Sequence, residues 1–267
     1  MRTLLSLLLL CASLAHAQDK GVEVQKSRLL LVPASTVERS AGQQYAQLMR
    51  DASRKGALNV DRGQVERLRN IARALIPHST RFNKDAQQWK WEVNLLSAKT
   101  VNAFCMPGGK IAFFSGILDT LKLTDAEVAA IMGHEIAHAL LEHGRARMSE
   151  NIVKNIGIVA VASYFNLGQL STEVLAQAAN LAVSLPYARK HETDADLVGV
   201  ELAARAGYDP AAAVGVWKKM SQLSTASGKG QPPQFASTHP SHANRIREIE
   251  ANLPKVAPLY AAARKAH

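Results

Sequence analysis

Residues 124–144 read TDAEVAAIMGHEIAHALLEHG. Thr124 followed three residues later by Glu127 is a capping box, so a helix opens there and runs until Gly144 can end it. Its middle holds His134-Glu135-Ile136-Ala137-His138, an H-E-x-x-H pattern. Histidines four apart lie one turn apart on one helical face, so both imidazoles can reach one zinc ion at about 2.0–2.1 Å. Glu135 is rotated by about 100° from His134 and can sit beside the metal without ligating it. There it can accept a proton from a metal-activated water, whose pKa zinc lowers toward about 7. Gly133 costs that helix roughly 1 kcal/mol relative to alanine, which is explicable if another element packs closely against that turn.

A catalytic zinc needs a third protein ligand and an open position. A metzincin would carry Gly at 141 and His at 144; the chain has Leu141 and Gly144, which excludes that class. The best reservoir of ligands is His191-Glu192-Thr193-Asp194-Ala195-Asp196, on a helix predicted over residues 185–206 and ended by Gly207. Glu192, Asp196, Gly199 and Ala203 share one face, two carboxylates followed by two small residues where a second helix could approach. Spacing alone leaves His191, Glu192 and Asp194 open as the ligand.

Outward from these two helices, residues 34–55 and 61–75 read as helices, the second with Val65, Leu68, Ala72 and Leu75 on one face and Pro77 closing it. From Gln88 the period falls to two, with Trp89, Trp91, Val93 and Leu95 alternating with polar residues. Residues 100–106 and 110–115 flank the turn Pro107-Gly108-Gly109, so a small antiparallel sheet is expected. Residues 152–183 form two apolar segments split at Gly168. The uninterrupted part, 156–165, is half the length of a membrane span and suits either a core helix or an element leaning on a membrane or covering the site. Residues 221–234 read as a loop and 240–252 as a last helix.

Of 267 residues, 47% are hydrophobic and 20% charged, which excludes disorder, collagen and coiled coil for the whole chain. Arg2, the apolar residues 4–10 and Ala15-His16-Ala17 resemble a signal peptide cleaved after Ala17; Leu10 before Cys11 argues against a lipoprotein. Export removes one of the two cysteines and leaves Cys105 without an internal partner. The net charge of +10 suits solvated surface or an anionic membrane better than nucleic acid, which an exported protein seldom meets.

H-E-x-x-H followed by Glu192-x-x-x-Asp196 resembles metallopeptidase family 48, the CAAX-prenyl-endopeptidase-like zinc peptidases, in particular their BepA-like or LoiP-like periplasmic branch. The likeness extends over residues 35–252. It includes Asn102-Ala103-Phe104 with Pro107-Gly108-Gly109, Gly207-Tyr208-Asp209-Pro210, and Thr238-His239-Pro240 with Arg245-Ile246.

The resemblance implies an α+β, helix-rich zincin-like (gluzincin) domain over residues 61–267, after the signal peptide (1–17) and an N-terminal helical extension (18–60). It implies one zinc per chain held by His134, His138 and Glu192, with Glu135 as general base and Asp196 orienting a ligand histidine. His239 would stabilise the oxyanion or compete as an extra resting ligand, and Arg245 would pair with the acidic cluster. Asn102, Ala103 and Phe104 would lie on the substrate-binding edge strand. The implied function is a periplasmic zinc endopeptidase of misfolded or misassembled envelope proteins, with peripheral contact to the outer membrane or its assembly machinery. The rival reading is a chaperone or assembly factor that uses the same groove for binding. The chain lacks the long spans of the prenyl-protease branch, which argues against a prenylated substrate.

Overall fold

The computed structural model describes residues 21–26, 29–179, 185–226, 234–239 and 243–266; the signal-peptide reading (1–17) and residues 227–233 of the expected loop lie outside them. The first helix, α1 (Ala34–Arg54), buries Tyr45, Met49 and Ala52. It is fastened to the sheet by the Tyr45 hydroxyl, which donates to the Ile111 carbonyl at 2.6 Å. Helix α2 (Arg62–Leu75) begins where Asp61 accepts a hydrogen bond from the Gln64 N–H, and it buries Val65, Leu68, Ile71, Ala72 and Leu75.

Strands β1 (Glu92–Leu96), β2 (Ala103–Met106) and β3 (Lys110–Phe114) form one sheet in the order β1-β3-β2. The sheet is mixed and not antiparallel as expected: β2 and β3 pair antiparallel across the Pro107-Gly108-Gly109 turn, but β1 pairs parallel with β3. The cause is connectivity. The chain between β1 and β3 contains β2, which runs back along the far side of β3, so β3 returns in the direction of β1. Trp89 and Trp91 precede β1 rather than belonging to it. Their indoles donate to Glu38 and to the Ala86 carbonyl, and a short 3₁₀ turn (Lys84–Gln88) leads into them.

Helix α3 (Ser115–Leu121) follows the sheet, and α4 (Asp125–Leu140) carries the H-E-x-x-H residues behind a formed capping box. The chain reverses at Glu142, in the left-handed region at φ 58, into α5 (His143–Tyr164) and then α6 (Gln169–Ala179). Helix α7 (Leu185–Arg205) lies along α4, and α8 (Ala212–Ala226), the single-turn α9 (Gln234–Thr238) and α10 (Ala243–Ala266) complete the order. The last helix runs 14 residues past its expected end at residue 252 and contains Pro254 and Pro258. Burial of Val256 and Leu259 in the main core holds it helical through residues that break an isolated helix.

Helices α4 and α7 form the centre of the core. A Cβ on Gly133 would lie 2.8 Å from the Gly199 carbonyl oxygen, and one on Gly199 would lie 2.6 Å from the His134 nitrogen. The two glycines therefore set how closely these helices approach, which places the carboxylates of α7 beside the histidines of α4.

Candidate active site

Residues from four elements converge. His134 and His138 project one turn apart from α4, Glu192 and Asp196 one turn apart from α7, His239 follows α9, and Arg245 comes from α10. His134 Nε2 lies 3.1 Å from His138 Nε2, 3.2 Å from His239 Nδ1 and 3.5 Å from Glu192 Oε2. Glu192 lies 3.5 Å from His138 Nε2 and 3.1 Å from His239 Nδ1. One donor atom from each of these four residues falls within 4.8 Å of all the others.

Those separations fit a metal ion. A tetrahedron with bonds of about 2.0–2.1 Å has edges of about 3.3–3.4 Å. The donor chemistry agrees. His134 donates its Nδ1 proton to Asp196 Oδ1 at 2.9 Å, so its Nε2 is the nitrogen that faces the other two histidines and a carboxylate, and the arrangement calls for a cation there, a proton or a metal ion. Burial pushes the His134 imidazole down, but the Asp196 and Glu192 carboxylates outweigh it and lift it to about 9. Burial likewise opposes charge on Glu192, yet hydrogen bonds from His134 and His239 hold it well below the usual carboxylate range. Each shift reports the same demand for positive charge at this point.

Arg245 and Asp196 brace the cluster. Arg245 is buried and grips Asp196 with two hydrogen bonds, 2.6 Å from Nε and 2.7 Å from Nη2, while Nη1 lies 3.0 Å from Glu192 Oε2. Its guanidinium sits 3.7 Å over the Trp217 ring. Glu135 is different. Its Oε1 is buried with no hydrogen-bond partner, the closest ring nitrogen being His239 Nε2 at 3.4 Å, and burial raises its carboxyl above the ordinary range. Glu135 also lines a cleft of about 250 Å³, with Cys105, Pro107, His138, Thr238 and His239 around it.

One wall of the cleft is β2, whose second edge has no strand beside it among the described residues. The Phe114 N–H donates to the Asn102 carbonyl, so in this antiparallel register the backbone groups of Asn102 and Phe104 turn toward β3 and those of Ala103 and Cys105 turn outward. Upstream of that edge, the Val101 carbonyl is already taken by the Phe235 N–H.

The structure separates the three ligand candidates on α7. Glu192 enters the cluster, His191 stacks instead on His143 at 4.1 Å, and Asp194 pairs with Lys190 at 2.5 Å. Sequence reasoning passed over His143. It is buried, and its Nδ1 lies 2.9 Å from His138 Nδ1, which fixes the ring that faces the cluster. Burial and then His191 push its pKa down to about 2, so it stays a neutral partner. No periodicity points to it, because the reversal at Glu142 brings it back onto His138.

Sequence comparison agrees with this arrangement. Residues 63–253 match the model of peptidase family M48. The chain is 41% identical over 167 residues to the mitochondrial metalloendopeptidase OMA1 of Schizosaccharomyces pombe, covering 62% of this chain and 48% of that one. It is 31% identical over 190 residues to the metalloprotease LoiP of Escherichia coli, covering 71% and 70%. Against a putative beta-barrel assembly-enhancing protease of Vibrio cholerae it is 26% identical over 176 residues, covering 62% and 35%. The chain spans about half or less of the length of the OMA1 relatives. The family match covers more than half of this chain and includes every residue of the cluster, so the chain belongs to peptidase family M48.

Proposed function

We propose that the protein is an exported zinc endopeptidase that cleaves extended segments of misfolded or misassembled envelope proteins. The observation that carries this is the orphaned Glu135 carboxylate, set in a cleft between a four-donor cluster and an open strand edge. In this reading His134, His138 and Glu192 hold zinc, which supplies Lewis-acid polarisation of water and of the scissile carbonyl. Glu135 accepts the proton and returns it to the leaving amine. Asp196 fixes the His134 tautomer, and Arg245 holds Asp196 in place. The outward backbone groups of Ala103 and Cys105 pair with the substrate backbone as an added strand, which suits unfolded chains because it reads no particular side chain. The kinship to LoiP and to a beta-barrel assembly-enhancing protease supports an envelope setting. The start of the family match at residue 63 supports a peptidase domain over 61–267, with 18–60 as an extension.

The nearness of His239 Nδ1 to His134 Nε2 and Glu192 Oε2 supports a fourth, resting ligand over a donor reserved for an oxyanion. We therefore assign it to the resting site, from which it withdraws when substrate enters.

The test is cleavage of an extended peptide by the purified protein. Glu135→Gln should keep the metal and lose about 10²- to 10⁴-fold in rate, as for removal of a general base. His239→Ala should cleave faster than wild type; slower cleavage at unchanged KM would move it to the oxyanion role. Full rescue of a deletion strain by Glu135→Gln would favour the chaperone reading instead.

A further inference from the structure

Residues 155–172 contain 18 consecutive uncharged residues, and they form the far half of α5, the connecting loop and the start of α6. This segment is not the core helix that its composition allowed. The buried residues of α5 are His143, Ala146 and Ser149, all in its first two turns. Beyond them Ile156 is 65% exposed, Val159 64%, Tyr164 83%, Phe165 64% and Leu170 76%. Among the described residues, α5 packs on α4 near its base and on α6 beyond it.

The distribution of these side chains selects the occupant. A helix that docks on another protein carries an apolar stripe and a polar back. Here Ile156, Ile158, Val159, Val161 and Tyr164, stepped at about 100° per residue, spread around the whole circumference. A helix end that is apolar all round and not enclosed by protein is solvated by a medium that surrounds it, which is lipid.

Length and charge narrow the choice. Residues 155–164 rise about 15 Å, half of a hydrocarbon core of about 30 Å. No described helix is long and apolar enough to cross a membrane. Aromatic Tyr164 and Phe165 sit at the tip, and Arg147 and Lys154 lie toward the base, beside Lys190, which is paired with Asp194. Basic groups at that level match anionic lipid headgroups, as does the overall charge of +10.

We infer that the α5–α6 hairpin is a monotopic anchor that inserts its tip into one leaflet of an anionic bilayer and holds the cleft at the membrane surface. This does not depend on the peptidase reading, because insertion requires no chemistry.

The experiment is flotation of the chain from Gln18 onward, without the apolar leader, on vesicles of phosphatidylethanolamine with about one third phosphatidylglycerol. Wild type should float with these vesicles, and less so at high salt or on pure phosphatidylcholine. The pairs Ile156→Gln with Val159→Gln, and Phe165→Ser with Leu170→Ser, replace exposed side chains and should weaken partition by about tenfold or more. Cleavage of a soluble peptide should stay at the wild-type rate. Wild type that stays unbound, or variants that float equally well, would overturn the anchor. Sedimentation showing a wild-type dimer that the substitutions dissociate would assign the surface to a second copy. Folded variants that lose soluble-peptide cleavage would make the hairpin a cover of the site.

Discussion

Two apolar helical stretches of this chain have opposite fates. In α4, residues 128–137 are buried on every side between β2, α2, α7 and α8. In α5, residues 155–164 contain no charged residue, against one (Glu135) in 128–137, and yet stand largely exposed. Apolar content therefore does not decide burial here. What decides it is whether a neighbour can come close. Gly133 on α4 meets Gly199 on α7 backbone to backbone, whereas a Cβ on Gly157 of α5 would meet nothing within 4 Å. Close packing then enables polar chemistry, since two helices this near can hold carboxylates and imidazoles in a shared, water-poor centre.

The contrast can be broken most severely at the helix contact. Gly199→Val should drive its side chain into the His134 backbone, cost about 3 kcal/mol or more, and release the metal along with the fold. Thermal unfolding of the metal-loaded protein measures this, and an unchanged Tm would mean that the two helices do not depend on that approach.

The sheet edge beside α4 comes next, with its two sides separated. Phe104→Pro removes a donor facing β3 and should destabilise by about 3 kcal/mol. Ala103→Pro removes an outward donor, and the folded, metal-loaded variant should lose up to about tenfold in kcat/KM for an extended peptide, the worth of one hydrogen bond. Wild-type cleavage by that variant would remove the edge as substrate platform.

A milder break leaves packing intact and disturbs only the polar centre. Asp196→Asn frees the His134 ring and should weaken zinc affinity by about 10- to 100-fold in a chelator competition, without abolishing it. No change would detach Asp196 from the metal.

The smallest effect sharpens the comparison from the other side. Gly157→Ala has open space around it and should raise stability by up to about 1 kcal/mol, by chemical denaturation, because helix propensity is all that changes. A loss of stability there would reveal a close neighbour of α5.

Much of the site was readable because its parts obey local geometry. His134 and His138 lie one turn apart in any α-helix, as do Glu192 and Asp196, and the capping box sets where α4 begins. Gly133 and Gly199 each read as a place for close approach before their meeting was visible. The alternation that starts at Gln88 reaches ahead of β1 because Trp89 and Trp91 continue it, although their indoles turn to Glu38 and Ala86. The final helix was read too short because Pro254 is a local stop signal and the burial of Val256 and Leu259 is not a local fact.

By itself, then, the sequence determined the helices that carry the site, the H-E-x-x-H register and the pair of carboxylates one turn apart, because each rests on the 3.6-residue period within one element. The tertiary structure alone decided the rest. It chose Glu192 over His191 and Asp194, turned His143 back onto His138, set Ala103 and Cys105 outward, made β1 parallel to β3 and left the end of α5 exposed. Each of these depends on which distant backbone lies alongside, and spacing within one element carries no record of that.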